Sequence, residues 1–159
     1  MNQQEVCVFE LAGQSFAADA FTVREVVRLD RIKRVPRAHD CIVGLFNLRG
    51  QIVPAIDLRR RLGLLEGPAK ALIVSEFDGE TIGFLVDTVR DVVSFARDSV
   101  ESVPSTVPES VRQVVTGALP VEQGWLLCID LAAAARLAEK TSAEAANWTP
   151  DPASATFQP

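Results

Sequence analysis

The chain has 159 residues, 48% of them hydrophobic, with a formal net charge of −5 and no Tyr. That length builds one domain, or two small subdomains, with a core that needs no metal or disulfide, and no apolar run approaches the ~20 residues of a membrane span. One His (His39) and three dispersed Cys with no CxxC make a His-based metal site or a Ser-His-Asp triad hard to build, so catalysis is disfavoured and a reduced, cytoplasmic protein is expected.

Val and Ile together supply 27 residues, which favours strands. Residues 6–11 and 15–18 read as a hairpin turning at Ala12-Gly13-Gln14. Residues 22–35 read as one long strand ended by Pro36. It has Val23, Glu25 and Val27 on one face and an irregularity near Asp30. A helix over 22–28 competes, because the segment is also periodic at three to four. Residues 38–43 fit one helical turn with Asp40 near its start. Residues 44–48 and 51–56 are strands around an Arg49-Gly50 turn, with Pro54 at an edge or bulge because it cannot donate to a ladder. Asp57 caps a short basic helix over 58–62, which Gly63 ends, and 64–69 is a loop.

The second half repeats the theme. Residues 71–77 and 81–86 flank Asp78-Gly79, a strong type I′ turn signal. Residues 89–95 form another strand, and 98–113, with Pro104 and Pro108, read as a loop. A last hairpin over 114–121 and 125–129 turns at Glu122-Gln123-Gly124. Asp130 then caps an Ala-rich helix over 131–140. Strands at this spacing predict small barrels or a sandwich. From Thr141, 13 of the last 19 residues are Ala, Pro, Ser or Thr, which predicts a disordered tail over 141–159. Its Trp148 and Phe157 are either solvated or part of a short partner-binding peptide.

Charge divides along the chain. Residues 1–70 carry a net +3 and residues 71–159 a net −8. The basic excess sits in 24–37, where Arg24, Arg28, Arg31, Lys33, Arg34 and Arg37 face only Glu25 and Asp30. This segment is a solvated strand face, a complement to an acidic protein, or, together with 59–61, a nucleic-acid surface. The last reading lacks interleaved aromatics and any nucleic-acid motif. No Gly-rich phosphate loop and no GxSxG occur. His39 and Cys41 lack two further metal ligands, and Asp87 and Asp91 default to structural or solvent-facing roles. No catalytic residue, metal or cofactor is expected.

Three ordered blocks carry more information. They are Val23-Arg-Glu25-Val26, then Gly44-Leu-Phe-Asn47-Leu48-Arg49-Gly50-Gln-Ile-Val-Pro54-Ala-Ile-Asp57-Leu58-Arg59, then Gly83-Phe-Leu-Val-Asp87-Thr-Val89-Arg-Asp91-Val92. Their order and spacing resemble the CheW-like family of chemotaxis coupling proteins, from about Val6 to about Lys140. The resemblance implies a mainly β fold over 1–140. This would be two packed, five-stranded SH3-like β-barrels with short peripheral helices and a C-terminal helix. It implies a non-enzymatic adaptor, cytoplasmic and recruited to membrane-associated receptor arrays. Such an adaptor couples the tips of methyl-accepting chemoreceptors to a CheA-type histidine kinase. A small nucleic-acid-binding barrel remains the alternative.

The family's receptor-facing groove, expected between the barrels, maps onto Val23, Glu25, Val26, Gly44, Asn47, Leu48, Arg49 and Gly50, with Glu25 and Arg49 as an ion pair. Read locally, Gly44, Asn47 and Gly50 satisfy turn geometry, Asp57 is a cap, and Pro54 and Leu58 are structural. A second, kinase-facing surface is implied on the barrel of 71–96. Arg28, the run 59–61 and the long tail depart from a generic member.

Overall fold

Tight turns organise the computed structural model, which describes residues 3–29, 33–35, 44–65, 67–122 and 124–136. In chain order the strands are β1 (Gln3–Leu11), β2 (Gln14–Asp19), β3 (Val23–Arg28), β4 (Lys33–Val35), β5 (Gly44–Leu48), β6 (Gln51–Asp57), β7 (Ala71–Phe77), β8 (Glu80–Val86), β9 (Thr88–Ala96), β10 (Val115–Val121) and β11 (Gly124–Ile129). Short helices α1 (Leu58–Arg61) and α2 (Glu109–Arg112) interrupt them, and residues 131–136 form a helix, α3. Three hairpins turn on a pair of left-handed residues. These are Ala12-Gly13, Arg49-Gly50 and Asp78-Gly79, with φ between 50° and 86°. That is type I′ geometry, whose twist matches the strands it joins.

The strands form two sheets, ordered β10-β11-β2-β1-β9 and β3-β7-β8-β6-β5-β4. Each is built from two hairpins joined by one parallel pair, β2 with β11 and β6 with β8. The repeat extends past the strands. Ile56-Asp57-Leu58 ends one sheet's parallel strand and Ile129-Asp130-Leu131 ends the other's. In each the aspartate accepts a backbone N–H, from Arg59 or Ala133, at 3.1 Å, and the leucine behind it is buried.

Both sheets curl. Residues beyond β9 bridge back to β10 across the first sheet, with Glu101 N–H donating to Ala118 O at 2.7 Å and Ala118 N–H to Glu101 O at 2.9 Å. In the second sheet β3 and β4 are opposite edges. Arg28 and Lys33 are joined by a chain that reaches at most ~18 Å, whereas a flat six-stranded sheet would hold its edges ~24 Å apart. The mainly β architecture of two sheets with short helices expected from the sequence is present. The second sheet has a sixth strand, β4.

Burial explains why these strands are so rich in β-branched residues. One face of each sheet contributes to a shared core. Phe9, Leu11 and Phe16 come from the first sheet, and Ile56, Ile73, Phe84 and Val86 from the second. The other faces close over smaller clusters, Val6, Ala17 and Leu126 in one and Phe46, Leu48, Val53, Leu72 and Val74 in the other. Strands buried on both faces lose clean alternation and read as apolar runs, as Leu72-Ile-Val74 does.

Several sequence expectations change. Residues 22–35 are not one strand: a 3-10 turn over Ala20–Thr22 leads into β3, which pairs with β7, while β4 pairs with β5. The competing helix over 22–28 is absent. The loop of 98–113 contains α2, whose Val111 enters the shared core. Pro54 lies inside β6, at a point where β8 has not yet begun to pair; that pairing starts at Ala55. The helical turn of 38–43, the end of the C-terminal helix and the tail of 141–159 fall outside the described residues.

Closure of the first sheet has a steric signature. A Cβ on Gly117 would stand 2.4 Å from Val100 Cγ1 and 3.3 Å from Glu101 O. Gly117→Ala is expected to push this seam apart and lower stability by about 1–3 kcal/mol, read from urea unfolding midpoints.

Candidate functional site

The site is organised by an irregularity in β3. Val23 pairs with Ser75 and Glu25 with Val74, so Arg24 is an extra residue, a β-bulge. The bulge changes which residues share a face. Glu25 and Val27 lie on the side of Leu72 and Val74, whereas Val26, opposite Ile73, lies with Val23 on the other side. The expectation that Val23, Glu25 and Val27 share one face is corrected at Val23.

On the first side, Arg24, Glu25, Leu48, Arg49, Gln51, Val74 and Thr81 line a cleft of about 130 Å³. All seven belong to the six-stranded sheet or its β5–β6 turn, so the cleft is at the end of one sheet rather than between the two. Arg49 Nη2 donates to Glu25 Oε2 in an ion pair, and Arg24 Nη1 donates to Glu76 Oε2 at 3.1 Å. Arg49 is 73% exposed and Glu25 26%, so the pair sits at the cleft mouth. Gly50 follows Arg49 in the left-handed turn, and its N–H donates to Asn47 Oδ1 at 2.9 Å.

The sequence-predicted residues divide accordingly. Glu25, Leu48 and Arg49 converge on the cleft. Asn47 and Gly50 shape the turn that presents Arg49. Val23 and Val26 lie on the opposite face of β3, with Val26 42% exposed. Gly44 is at the far end of β5, paired with Ala55 and about 13 Å along the strand from Leu48.

A second polar constellation was not assembled from the sequence, although both partners lie in its motif blocks. Arg59, the first helical residue after Leu58, pairs with Asp87, the residue between β8 and β9. Arg59 Nε donates to Asp87 Oδ1 at 2.6 Å and Nη2 to Oδ2, while Nη1 donates to Leu65 O at 2.9 Å. Asp87 Oδ2 also accepts the N–H of Ala12 at 2.9 Å, and Asp87 N–H donates to Glu10 O at 3.1 Å. Asp87 thus fastens the turn of the first sheet to the helix of the second. Its hydrogen bond holds the Arg59 guanidinium still more firmly protonated than usual.

Among the described basic side chains, Arg24, Arg49 and Arg59 each meet a carboxylate. No cluster of three metal-ligating side chains and no helix long and apolar enough to cross a membrane occurs among the described residues. Burial pushes the Cys7 and Cys128 thiols up, so both stay protonated at neutral pH. Burial also raises the Asp57 carboxyl, against the cap hydrogen bonds that lower it. A folded-state value above the unfolded one means the charge opposes folding once pH rises through it. Asp57→Asn, which keeps the cap, is expected to be neutral or stabilising at pH 7, with its advantage shrinking on acidification. Asp57→Ala should cost about 0.5–2 kcal/mol. Urea unfolding at pH 7 and near pH 4 checks both.

The CheW-like domain matches residues 5–139 of the chain. The chain belongs to the CheW-like family. A probable chemotaxis protein CheW from Rhizobium etli is 29% identical and aligns over 90% of the chain and 92% of its own length. The chemotaxis protein CheW from Klebsiella aerogenes is 30% identical over 80% and 79%. The scaffolding protein CheW from Thermoanaerobacter tengcongensis superposes with a TM-score of 0.66 at 30% identity, covering 80% of the chain and 88% of that structure. This CheW-like chain is a chemotaxis scaffold, not an enzyme.

Proposed function

We propose that this CheW-like scaffold joins the cytoplasmic tip of a methyl-accepting chemoreceptor to a CheA-type histidine kinase, in the cytoplasm at membrane-associated receptor arrays. The receptor-facing surface is the β3 edge. A chemoreceptor tip is a helical bundle, and a helix laid along an edge strand reaches both of its faces. On one flank it meets the Glu25–Arg49 pair; on the other it meets Val23 and Val26. Within 71–96 the kinase surface falls on β9, an edge strand of the other sheet with Val92 and Val93 exposed, so both partners bind at once.

The observation that carries this reading is the Glu25–Arg49 pair at the mouth of the cleft, held by the Arg49-Gly50 turn at the end of β5. Arg49 is the first central residue of that type I′ turn, whose tight geometry fixes where its side chain starts. No step of this function makes or breaks a bond, and no cofactor takes part.

Calorimetric titration tests the reading. A soluble chemoreceptor tip fragment and the regulatory domain of a CheA-type kinase are each expected to bind, and saturation with one is expected to leave the affinity for the other within about threefold. Mutually exclusive binding would place both partners on one surface and end the proposal.

A further inference from the structure

Phe21 is 91% exposed, the most exposed large hydrophobic side chain among the described residues. It does not ride on a loose loop. Its N–H donates to Asp19 Oδ1 at 3.0 Å, and Thr22 Oγ1 donates to Asp19 O at 2.8 Å, so the Ala20–Thr22 turn is tied at both positions. The next residue, Val23, packs against the shared core and anchors the turn from the other side. The turn also marks the passage from β2 in one sheet to β3 in the other. A rigid turn that holds a phenyl ring in water leaves a large apolar area uncovered and gains nothing for the fold.

We infer that Phe21 is an anchor for the apolar stripe of the chemoreceptor helix and sets affinity for it. The inference rests on the receptor reading of the β3 edge. Phe21 precedes Val23 by two residues, and the bulge at Arg24 places Val23 and Val26 on one face. The three side chains fall within about 17 Å of chain, the length of three turns of a partner helix. An aromatic ring already fixed in position loses little further freedom on docking, which is what makes a binding anchor effective. The acidic and basic groups of the cleft lie across the strand from Val23 and Val26. The docked helix therefore has an apolar stripe with charged neighbours on one side.

The test uses the full chain and a soluble chemoreceptor tip fragment, with the kinase regulatory domain as control. Phe21→Ser is expected to weaken receptor binding at least about tenfold, while Phe21→Leu, which keeps an apolar anchor, stays within about threefold of wild type. Kinase-domain binding and the melting temperature are unchanged in both variants, because the ring is in solvent in the free protein. Unchanged receptor binding by Phe21→Ser overturns the inference; if Arg49→Glu has meanwhile lost binding, the receptor reading of the β3 edge survives. If neither variant loses binding, that reading fails as well. Loss of kinase binding with receptor binding intact assigns Phe21 to the other partner and also overturns the inference.

Discussion

Replacing Arg59 by alanine lowers the stability of the fold by about 3–5 kcal/mol, because it leaves the Asp87 carboxylate without its counter-ion in a largely buried setting. Arg59 is 13% exposed and Asp87 20%. The arginine makes two contacts to the carboxylate and a third to Leu65 O, and the carboxylate also accepts the Ala12 N–H. For a domain of this size the loss corresponds to a fall of about 10–20 °C in the melting temperature. Lysine does not rescue it, since one ammonium cannot reproduce the fork and the Leu65 contact. Replacing both partners, Arg59→Met with Asp87→Leu, recovers part of the loss, because no charge is then stranded. A loss below about 1 kcal/mol for Arg59→Ala would mean that the pair behaves as a surface ion pair.

Arg49→Glu has the opposite profile. The Arg49–Glu25 pair is exposed on the arginine side, so its contribution to folding is about 0–1 kcal/mol and the melting temperature moves by only a few degrees. Binding to a chemoreceptor tip, in contrast, falls by about a hundredfold or more. The substitution removes a guanidinium from the docking edge and reverses its charge, and a charge of the wrong sign facing a partner across an interface costs several kcal/mol. Kinase-domain binding stays as it was. The paired reversal, Glu25→Arg with Arg49→Glu, restores the ion pair and recovers part of the receptor affinity if the pair acts by shaping the edge. Calorimetry with the receptor fragment and with the kinase domain separates these outcomes from simple unfolding.

Much of the fold is legible in local chemistry. The Gly-containing turns announce their hairpins, and Asp57 and Asp130 announce helix starts, because each signal is completed within a few residues. The Asn47-Leu-Arg-Gly50 turn was likewise readable, down to the Glu25 partner that the family resemblance supplied. What the sequence hides depends on register or distance. The bulge at Arg24 exists only relative to β7, so the strand's own alternation pointed Val23 to the wrong face. The Arg59–Asp87 clamp joins residues 28 positions apart in sequence, and neither residue alone distinguishes a buried partner from a solvated one. The division of 22–35 into two opposite edge strands follows from pairing with β7 and with β5, which no periodicity over fourteen residues records. Phe21 could have been flagged as an apolar residue between a helix-capping Asp19 and β3, but its exposure is a property of the fold.

The proposed function requires that the chain physically link receptor to kinase. Co-sedimentation of a CheA-type kinase with receptor-bearing membranes, with and without the chain, measures that link. The kinase is expected to pellet with the membranes when the wild-type chain is present and to stay in the supernatant when the chain is omitted or replaced by Arg49→Glu. Kinase that pellets equally without the chain, or that remains soluble despite the wild-type chain, would contradict it.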